Sequence, residues 1–456
     1  MTTFNIINFL KGKKILLLGY GREGESSYKF IRKHLPDIEL TIADKNTNID
    51  SKKFNDSHIQ LLLGEHYLDT INDFDLVIKS PGISLKSIIQ TIDKEKISSQ
   101  TDLFLRAYAQ QCIGVTGTKG KSTTSSLIYH IISNLNKNVV FGGNIGLPLF
   151  ELIDNIEPQT YIVLELSSHQ LEFIHQAPHI AILLNLFEEH LDHYNTYLDY
   201  QKAKYNIALC QNKDDFFVYN IDDERIMNLI RNQHFVSFSK GFSVNDINNS
   251  YCYFNDNHIV VNDKRQKILP LNTEIFPLKG IHNYANLTAV VAAISCLENV
   301  NIEDIMQFLP TFQPLKHRLE NIGTYQGITF YNDSISTIPQ ATIAAVDALE
   351  NVDTLILGGM DRGIDYQSLV DYFSNKKVRN FIFTGKAGER MMHLFKQKGI
   401  KELFFKDTYP EIVDLAKQIT SKGKICLLSP AAASYDSFRN FEHRGDCFRE
   451  LVKINC

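Results

Sequence analysis

The segment Gly114-Val-Thr-Gly-Thr-Lys-Gly-Lys-Ser-Thr-Thr124 holds the residue types that bind a nucleoside triphosphate. A short apolar run at residues 113–115 precedes it, and a helical pattern to about residue 134 follows, the strand–loop–helix order a phosphate loop requires. Gly117 and Gly120 let backbone N–H groups turn inward around phosphate oxygens, at the positive end of a helix dipole. Lys121 is placed to reach the β- and γ-phosphates, and the Ser122 hydroxyl to ligate Mg²⁺. Thr118, Lys119 and Thr123 complete the predicted ATP-facing set. The general pattern has glycine where Val115 stands, so the match is to a variant form, T-G-T-x-G-K-S. A Gly-rich turn with a solvated lysine is the competing reading. Strand, loop, Lys-Ser pair and helix together outweigh it.

Other chemistry-bearing residues follow buried runs. Glu165 closes the run 161–166, and a carboxylate at the end of a parallel strand beside a phosphate loop is placed to hold Mg²⁺. Alone it reads equally as a strand-end cap. His190 and His193 have a spacing that invites zinc, but no third ligand stands at metal-site spacing. His190 gains weight from falling in the same predicted crevice as the phosphate loop, whereas Lys204, on the next helical pattern, reads by default as solvated. Near the start, Gly19-Tyr-Gly-Arg-Glu-Gly24 follows a strand and opens a helix, with Asp44 at the end of the next strand. That is a dinucleotide fingerprint, with an acid placed for a ribose hydroxyl, and it suits NAD or any nucleoside diphosphate.

These residues need parallel strands to carry them. Apolar runs at 14–18, 38–43 and 75–78 read as strands, with a helix at 23–34 facing inward through Ser27, Phe30, Ile31 and His34. A second α/β region has strands at 113–115, 161–166 and 180–186, helices at 195–209 and 280–297, and a β excursion at 251–271. A third has strands at 328–331, 354–357, 380–383 and 425–428. Strands alternating with helices imply doubly wound parallel sheets. At about 150 residues per domain, 456 residues make about three domains. The predicted class is α/β, with an N-terminal Rossmann-like domain (1–100), a central P-loop ATPase with a parallel sheet (101–313) and a C-terminal Rossmann-like domain (314–456).

A net charge of −5 provides no global field for nucleic acid or membrane. Seven scattered cysteines without a C-x-x-C pair fit a reducing cytosol better than a disulfide framework. No apolar run is long enough to span a bilayer, and no secretory leader is legible, so a cytoplasmic protein is expected.

Taken in order, these segments resemble the Mur ligase family over nearly the whole chain. The resemblance rests on TGTKGKST, GGNIG (142–146), ELSSHQLE (165–172), EEHLDHY ending at Tyr194, GIHNYAN (280–286), HRLE (317–320) with NDS (332–334), and SPAAASYDSFRNFEHRG (429–445). ELSSHQLE and the last segment are similar to the branch that adds glutamate to UDP-N-acetylmuramoyl-L-alanine. The resemblance implies an ATP- and Mg²⁺-dependent ligase acting on three small molecules, that substrate, D-glutamate and ATP. It implies no nucleic-acid or membrane partner, and a monomer. Gly19, Gly21, Asp44 and Gly82 become UDP-site residues, and Asn144 a contact of the muramoyl substrate. Glu165 carries over as a Mg²⁺ ligand and His190 as the holder of a second Mg²⁺. Lys204 matches the lysine that relatives carbamylate into a metal-bridging carboxylate. Asn283 matches an adenine contact, His317 and Arg318 a hinge pair meeting ATP, and Asp333 a nucleotide-ribose contact. Lys121, His190 and Lys204 form the implied catalytic set. For glutamate the matches are Thr337, Arg362, Ser434 and Phe441, with Arg362 suited to bidentate carboxylate binding. Ile335 departs from the family, where lysine is common.

The alternatives at this level are the same ligation with L-glutamate, a folylpolyglutamate-synthase-type relative, an NAD-dependent oxidoreductase using Gly19 to Gly24, and a P-loop switch without ligation. The first follows from Ile335; the second lacks the GGNIG and SPAAAS segments, and the third leaves the phosphate loop unexplained. Phosphate release that depends on both the UDP-muramoyl substrate and glutamate separates the fourth from a ligase.

Overall fold

Short runs of Ile, Leu and Val form three mostly parallel sheets in the computed structural model, which describes residues 2–49, 54, 56–188, 193–278, 280–313, 316–349, 351–374 and 378–454. The first comprises β1 (Ile15–Leu18), β2 (Leu40–Asp44), β3 (Ile59–Leu63), β4 (Leu76–Lys79) and β5 (Ile97–Ser98) in the order β3-β2-β1-β4-β5. All its pairings are parallel. β1 is buried at every position because helices cover both faces of such a sheet, which is why it reads as an unbroken apolar run.

The second sheet contains β6 (Cys112–Thr116), β7 (Val139–Gly143), β8 (Tyr161–Glu165), β9 (Ile180–Leu183), β10 (Phe216–Asn220), β11 (Phe238–Ser243), β12 (Cys252–Asn255), β13 (His258–Val261) and β14 (Lys267–Pro270). Its order is β14-β13-β12-β11-β10-β9-β6-β8-β7, with β6 between β8 and β9. The expected β excursion at 251–271 is the antiparallel set β12 to β14. The run 180–186 is strand only to Leu183, since Leu184 onward turns over the phosphate loop.

The third sheet comprises β15 (Glu320–Tyr325), β16 (Ile328–Asn332), β17 (Val352–Gly358), β18 (Asn380–Thr384), β19 (Leu403–Phe405) and β20 (Ile425–Leu428). Its order is β15-β16-β20-β17-β18-β19, with only β15–β16 antiparallel. The chain divides into two compact units, Met1–Gln313 with the first two sheets and Pro314–Cys456 with the third.

In the first unit one core runs from Ile15 and Leu17, through Leu103, Phe104 and Leu105 of helix Gln100–Tyr108, to Ile162 and Leu164. Gln100 Nε2 donates to Glu23 O (3.2 Å) and Ser27 Oγ (3.0 Å), while Leu149 N donates to Gln100 Oε1 (2.9 Å). A buried amide so satisfied pins both sheets to one helix. Helix Arg22–His34 buries Ser27, Phe30 and Ile31 as expected, with His34 only partly covered.

Candidate active site

The phosphate loop leaves buried β6 and enters helix Lys121–Asn134 through Gly120 at φ +85°, its N-cap. Gly117 has φ +153°, and a Cβ there would stand 2.9 Å from Leu184 Cβ; a Cβ on Gly120 would stand 2.5 Å from Asn286 Oδ1. Both glycines are therefore steric requirements as well as conformational ones. Lys121 Nζ donates to Gly117 O and Thr118 O, each at 3.0 Å, so its ammonium lies over the loop it follows. Ser122 is buried in the first turn, with Thr123 partly covered beside it.

Asn185, just past β9, clamps this loop. Its Oδ1 accepts from Thr118 N (3.1 Å) and Lys119 N (2.7 Å), and its Nδ2 donates to Lys119 O (3.0 Å). Sequence reasoning assigned Asn185 nothing. The signal was a polar residue directly after a buried strand that neighbours the loop's own strand.

Glu165 ends β8 and is 1% exposed. Its Oε1 accepts from Asn144 Nδ2 at 2.6 Å, while Oε2 is enclosed without a hydrogen-bond partner. An unpaired buried carboxylate oxygen costs at least about 1–3 kcal/mol, so a cation is the group this oxygen fits. Lys204, read by default as solvated, is instead 2% exposed. Its helix packs under the loop, and Nζ donates to Gly117 O at 2.8 Å and sits 5.0 Å above the Tyr200 ring. Neighbouring Lys202 is exposed. The Tyr200 hydroxyl shares a 2.8 Å hydrogen bond with Thr118 Oγ1. His190 lies outside the described residues. His193 shares a 3.3 Å hydrogen bond with Glu172, which also pairs with buried Lys79 at 3.3 Å, an internal network. Asn283 is in the first turn of helix Ile281–Ile294, where its Oδ1 accepts from Asn286 Nδ2 (3.4 Å), the residue against Gly120.

The fingerprint glycines work by contact. A Cβ on Gly24 would meet Gly19 O at 2.1 Å, and one on Gly19, at φ +90°, would meet Ile83 Cγ1 at 2.9 Å. Gly19, Gly21, Asp44, Gly82 and Asn144 line one cleft of about 400 Å³ at the carboxyl ends of β1, β2 and β4. Asp44 accepts from Tyr20 N (2.6 Å) and Asn46 N (2.7 Å). Glu23, also lining the cleft, was assigned no role. Burial pushes its carboxyl up to about 7, against a hydrogen bond from Gln170 Nε2 at 2.8 Å.

In the second unit His317 is 4% exposed at φ +64°, and a Cβ on Gly445 would stand 2.1 Å from its Nδ1. Burial lowers its pKa. Arg318 Nε is enclosed without a partner. Asp333 is 2% exposed and accepts from Ser429 Oγ (2.7 Å) and Leu319 N (3.2 Å); burial raises its carboxyl to about 6. The segments of the four glutamate candidates are tied to neighbouring stretches of chain. Ala431 N donates to Ser336 O beside Thr337 (2.9 Å), Met360 N to Ala433 O beside Ser434 (2.9 Å), and Ser334 Oγ to Phe441 O (2.8 Å). Arg362 follows, exposed, in the turn just past β17. Arg444, unassigned from sequence, joins them: 1% exposed, it donates to Ser334 Oγ, Ser334 O, Ala432 O and Ala433 O. Ile335 donates its N–H to His317 O at 3.1 Å.

Three family domains match in order: the Mur ligase MurD-like N-terminal domain at 13–98, the Mur ligase middle domain at 115–294, and the Mur ligase glutamate ligase domain at 317–432. A curated relative from Geobacillus sp. (strain WCH70), named UDP-N-acetylmuramoylalanine--D-glutamate ligase, is 33% identical over 449 residues, covering 96% of this chain and 97% of its own. One of the same name from Clostridioides difficile (strain 630) is 34% identical, with 97% and 99% covered. Among solved structures, MurF ligase from Thermotoga maritima in complex with ADP has a TM-score of 0.54 at 15% identity, covering 96% of this chain and 95% of that one. UDP-N-acetylmuramate-alanine ligase MurC from Thermotoga maritima has a TM-score of 0.53 at 19%, with 96% and 98% covered. These neighbours share the three-domain α/β fold. With its phosphate loop, clamped by Asn185 and flanked by Glu165 and Lys204, inside the matched middle domain, the chain belongs to the Mur ligase family.

Proposed function

We propose that the chain is an ATP-dependent ligase joining D-glutamate to UDP-N-acetylmuramoyl-L-alanine in peptidoglycan precursor synthesis. The observation that carries this is the loop from Gly117 to Ser122 beside the enclosed, half-unpaired Glu165, in a chain whose curated relatives bear that activity in their name over nearly their full length. Residues 1–100 would serve the UDP substrate, 101–313 ATP, and 314–456 glutamate.

In the reaction, the substrate carboxylate attacks the ATP γ-phosphate and ADP leaves. The glutamate amine then attacks the acyl-phosphate, and phosphate departs as the amide forms. Positioning and electrostatics do most of this work. Lys121 meets the β- and γ-phosphates once it exchanges its loop carbonyls for them. The cleft at Gly19, Gly21, Asp44 and Gly82 would hold the UDP end, and Asn144, which lines that cleft and donates to Glu165, would contact the muramoyl part of the substrate. Asn283, His317, Arg318 and Asp333 serve ATP. Thr337, Arg362, Ser434 and Phe441 serve glutamate, without the lysine that Ile335 replaces. Bound Mg²⁺ would be held by Ser122 and Glu165, a second ion by His190 and Lys204, neutralising charge that gathers on the phosphates. Carbamylation of Lys204, in which CO₂ adds to the neutral amine with loss of a proton, would turn a buried cation into a carboxylate. The enzyme would act as a cytoplasmic monomer; no helix among the described residues is long and apolar enough to cross a membrane.

The decisive assay is phosphate release with ATP, UDP-N-acetylmuramoyl-L-alanine and each glutamate enantiomer. Release requiring both acceptor and D-glutamate, and lost in Lys121→Ala, is expected. Release independent of glutamate, or near-normal turnover by Lys121→Ala, would sink the reading.

A further inference from the structure

Arg362, the cation assigned to glutamate, stands exposed on a stretch, 361–365, that forms neither helix nor strand. A long side chain on such a stretch binds a carboxylate well only if its backbone is already held, because every freedom frozen on binding subtracts from affinity. What holds residues 361–365 is therefore part of the site.

The stretch is anchored before and after. Gly359 N donates to Thr384 O and Met360 N to Ala433 O, each at 2.9 Å, which fixes its start just past β17. Tyr366, fully buried, fixes its end. Between these anchors the grip comes from Arg390. Its Nη1 donates to both carboxylate oxygens of Asp361 at 2.7 Å, and its Nη2 donates to Ile364 O. Asp361 Oδ1 also accepts from Gly363 N at 2.9 Å, closing the turn on itself. The guanidinium lies over the Tyr366 ring, 4.8 Å from its centroid. One planar fork thus grasps the residue before Arg362 and the residue two after it, while resting on a buried ring.

Arg390 belongs to helix Gly385–Gln397, three residues past Ala387, whose N–H donates to Gly359 O at 2.9 Å. Positions three apart share a helix face, so one face docks on the start of the stretch and reaches its turn. The Arg390 and Asp361 side chains are 38% and 25% exposed, and an isolated ion pair at that exposure stabilises little. Its use is geometric. The pairing also occupies Asp361, whose carboxylate would otherwise compete with a substrate for the adjoining Arg362. We propose that Arg390 is a positioning residue for glutamate: by clamping Asp361 and Ile364 it aims Arg362 at the substrate carboxylate. The inference rests on the reading of Arg362 as a glutamate contact.

The test is steady-state phosphate release by the full chain with ATP, UDP-N-acetylmuramoyl-L-alanine and varied D-glutamate. Arg390→Met should raise the KM for glutamate by about tenfold, the worth of one misaligned charge-assisted contact. Its kcat and its KM for ATP should stay within about twofold, a split that marks lost substrate binding, whereas a damaged fold would move all three. Arg390→Lys keeps the charge without the fork and should stay close to Arg390→Met. Asp361→Asn weakens the same clamp from its other side and should raise the same KM, so it carries the test if Arg390→Met folds poorly. Arg362→Met combined with Arg390→Met should be no worse than Arg362→Met alone, because both act through one contact. Glutamate-independent release by the wild type, or an unchanged KM in Arg362→Met, overturns the reading of Arg362 and this inference with it. A raised KM in Arg362→Met beside wild-type values in Arg390→Met overturns the inference alone. So does full activity in Arg390→Lys, or an additive loss in the double variant.

Discussion

Glu23 and Asp333 are carboxyls held where water does little to stabilise their charge, and each makes pH an observable. Glu23 faces the cleft assigned to the UDP end, and burial pushes it up to about 7. Below that pH it is neutral, and above it a negative charge stands beside a diphosphate. Affinity for the UDP substrate should therefore weaken as pH rises through about 7, and Glu23→Gln should flatten the profile; an unchanged profile in isothermal titration would refute this. Asp333, raised to about 6, has a folded pKa above the unfolded value near 3.8. Its contribution is full below about 4 and is lost as pH rises through 6, a difference of roughly 3 kcal/mol. Denaturant titrations of the second unit should show that fall in wild type and not in Asp333→Asn. The sequence makes such residues legible unevenly. Gly19, Gly117 and Gly120 can be read because backbone geometry demands glycine, and Lys121 and Ser122 because phosphate chemistry does. Asn185, Glu23 and Arg444 cannot, since their importance lies in partners distant along the chain. Lys204 misleads for the same reason: a lysine on a helix says nothing of the loop carbonyl above it.

Helices and strands show a parallel contrast. Interior strands such as β1, β4, β6 and β18 are buried at every position and read as apolar runs. Edge or half-covered strands such as β3, β15 and β19 lack that pattern, because one flank or face meets water, and they were not anticipated. Helix Arg22–His34 carries a sharper test. Glycine in a helix costs about 1 kcal/mol relative to alanine, so propensity alone favours Gly24→Ala. The added Cβ would lie 2.1 Å from Gly19 O, which is backbone and has little freedom to yield. Overpacking of that kind costs about 1–3 kcal/mol, so sterics should win. Gly24→Ala is expected to lower the unfolding free energy of the first unit and weaken UDP-substrate binding. A stabilised variant would show that the turn is looser than described.

As a whole, the chain comprises two compact units of unequal size, one with two sheets and one with a single sheet. Calorimetry should resolve two unfolding transitions. The UDP substrate at a hundredfold its Kd should stabilise the one from the first unit by about 2.7 kcal/mol while leaving the other in place. A single transition that moves as one would contradict independent units. The order of the third sheet has a consequence for biosynthesis. β20 lies between β16 and β17, so two groups of strands made earlier are joined only by a later one. On the ribosome, both halves must wait with a raw edge each until residue 428 or so has emerged. A premature stop before residue 425 would release a hairpin and a three-stranded fragment with no common centre, material for proteolysis or clumping instead of a shortened enzyme.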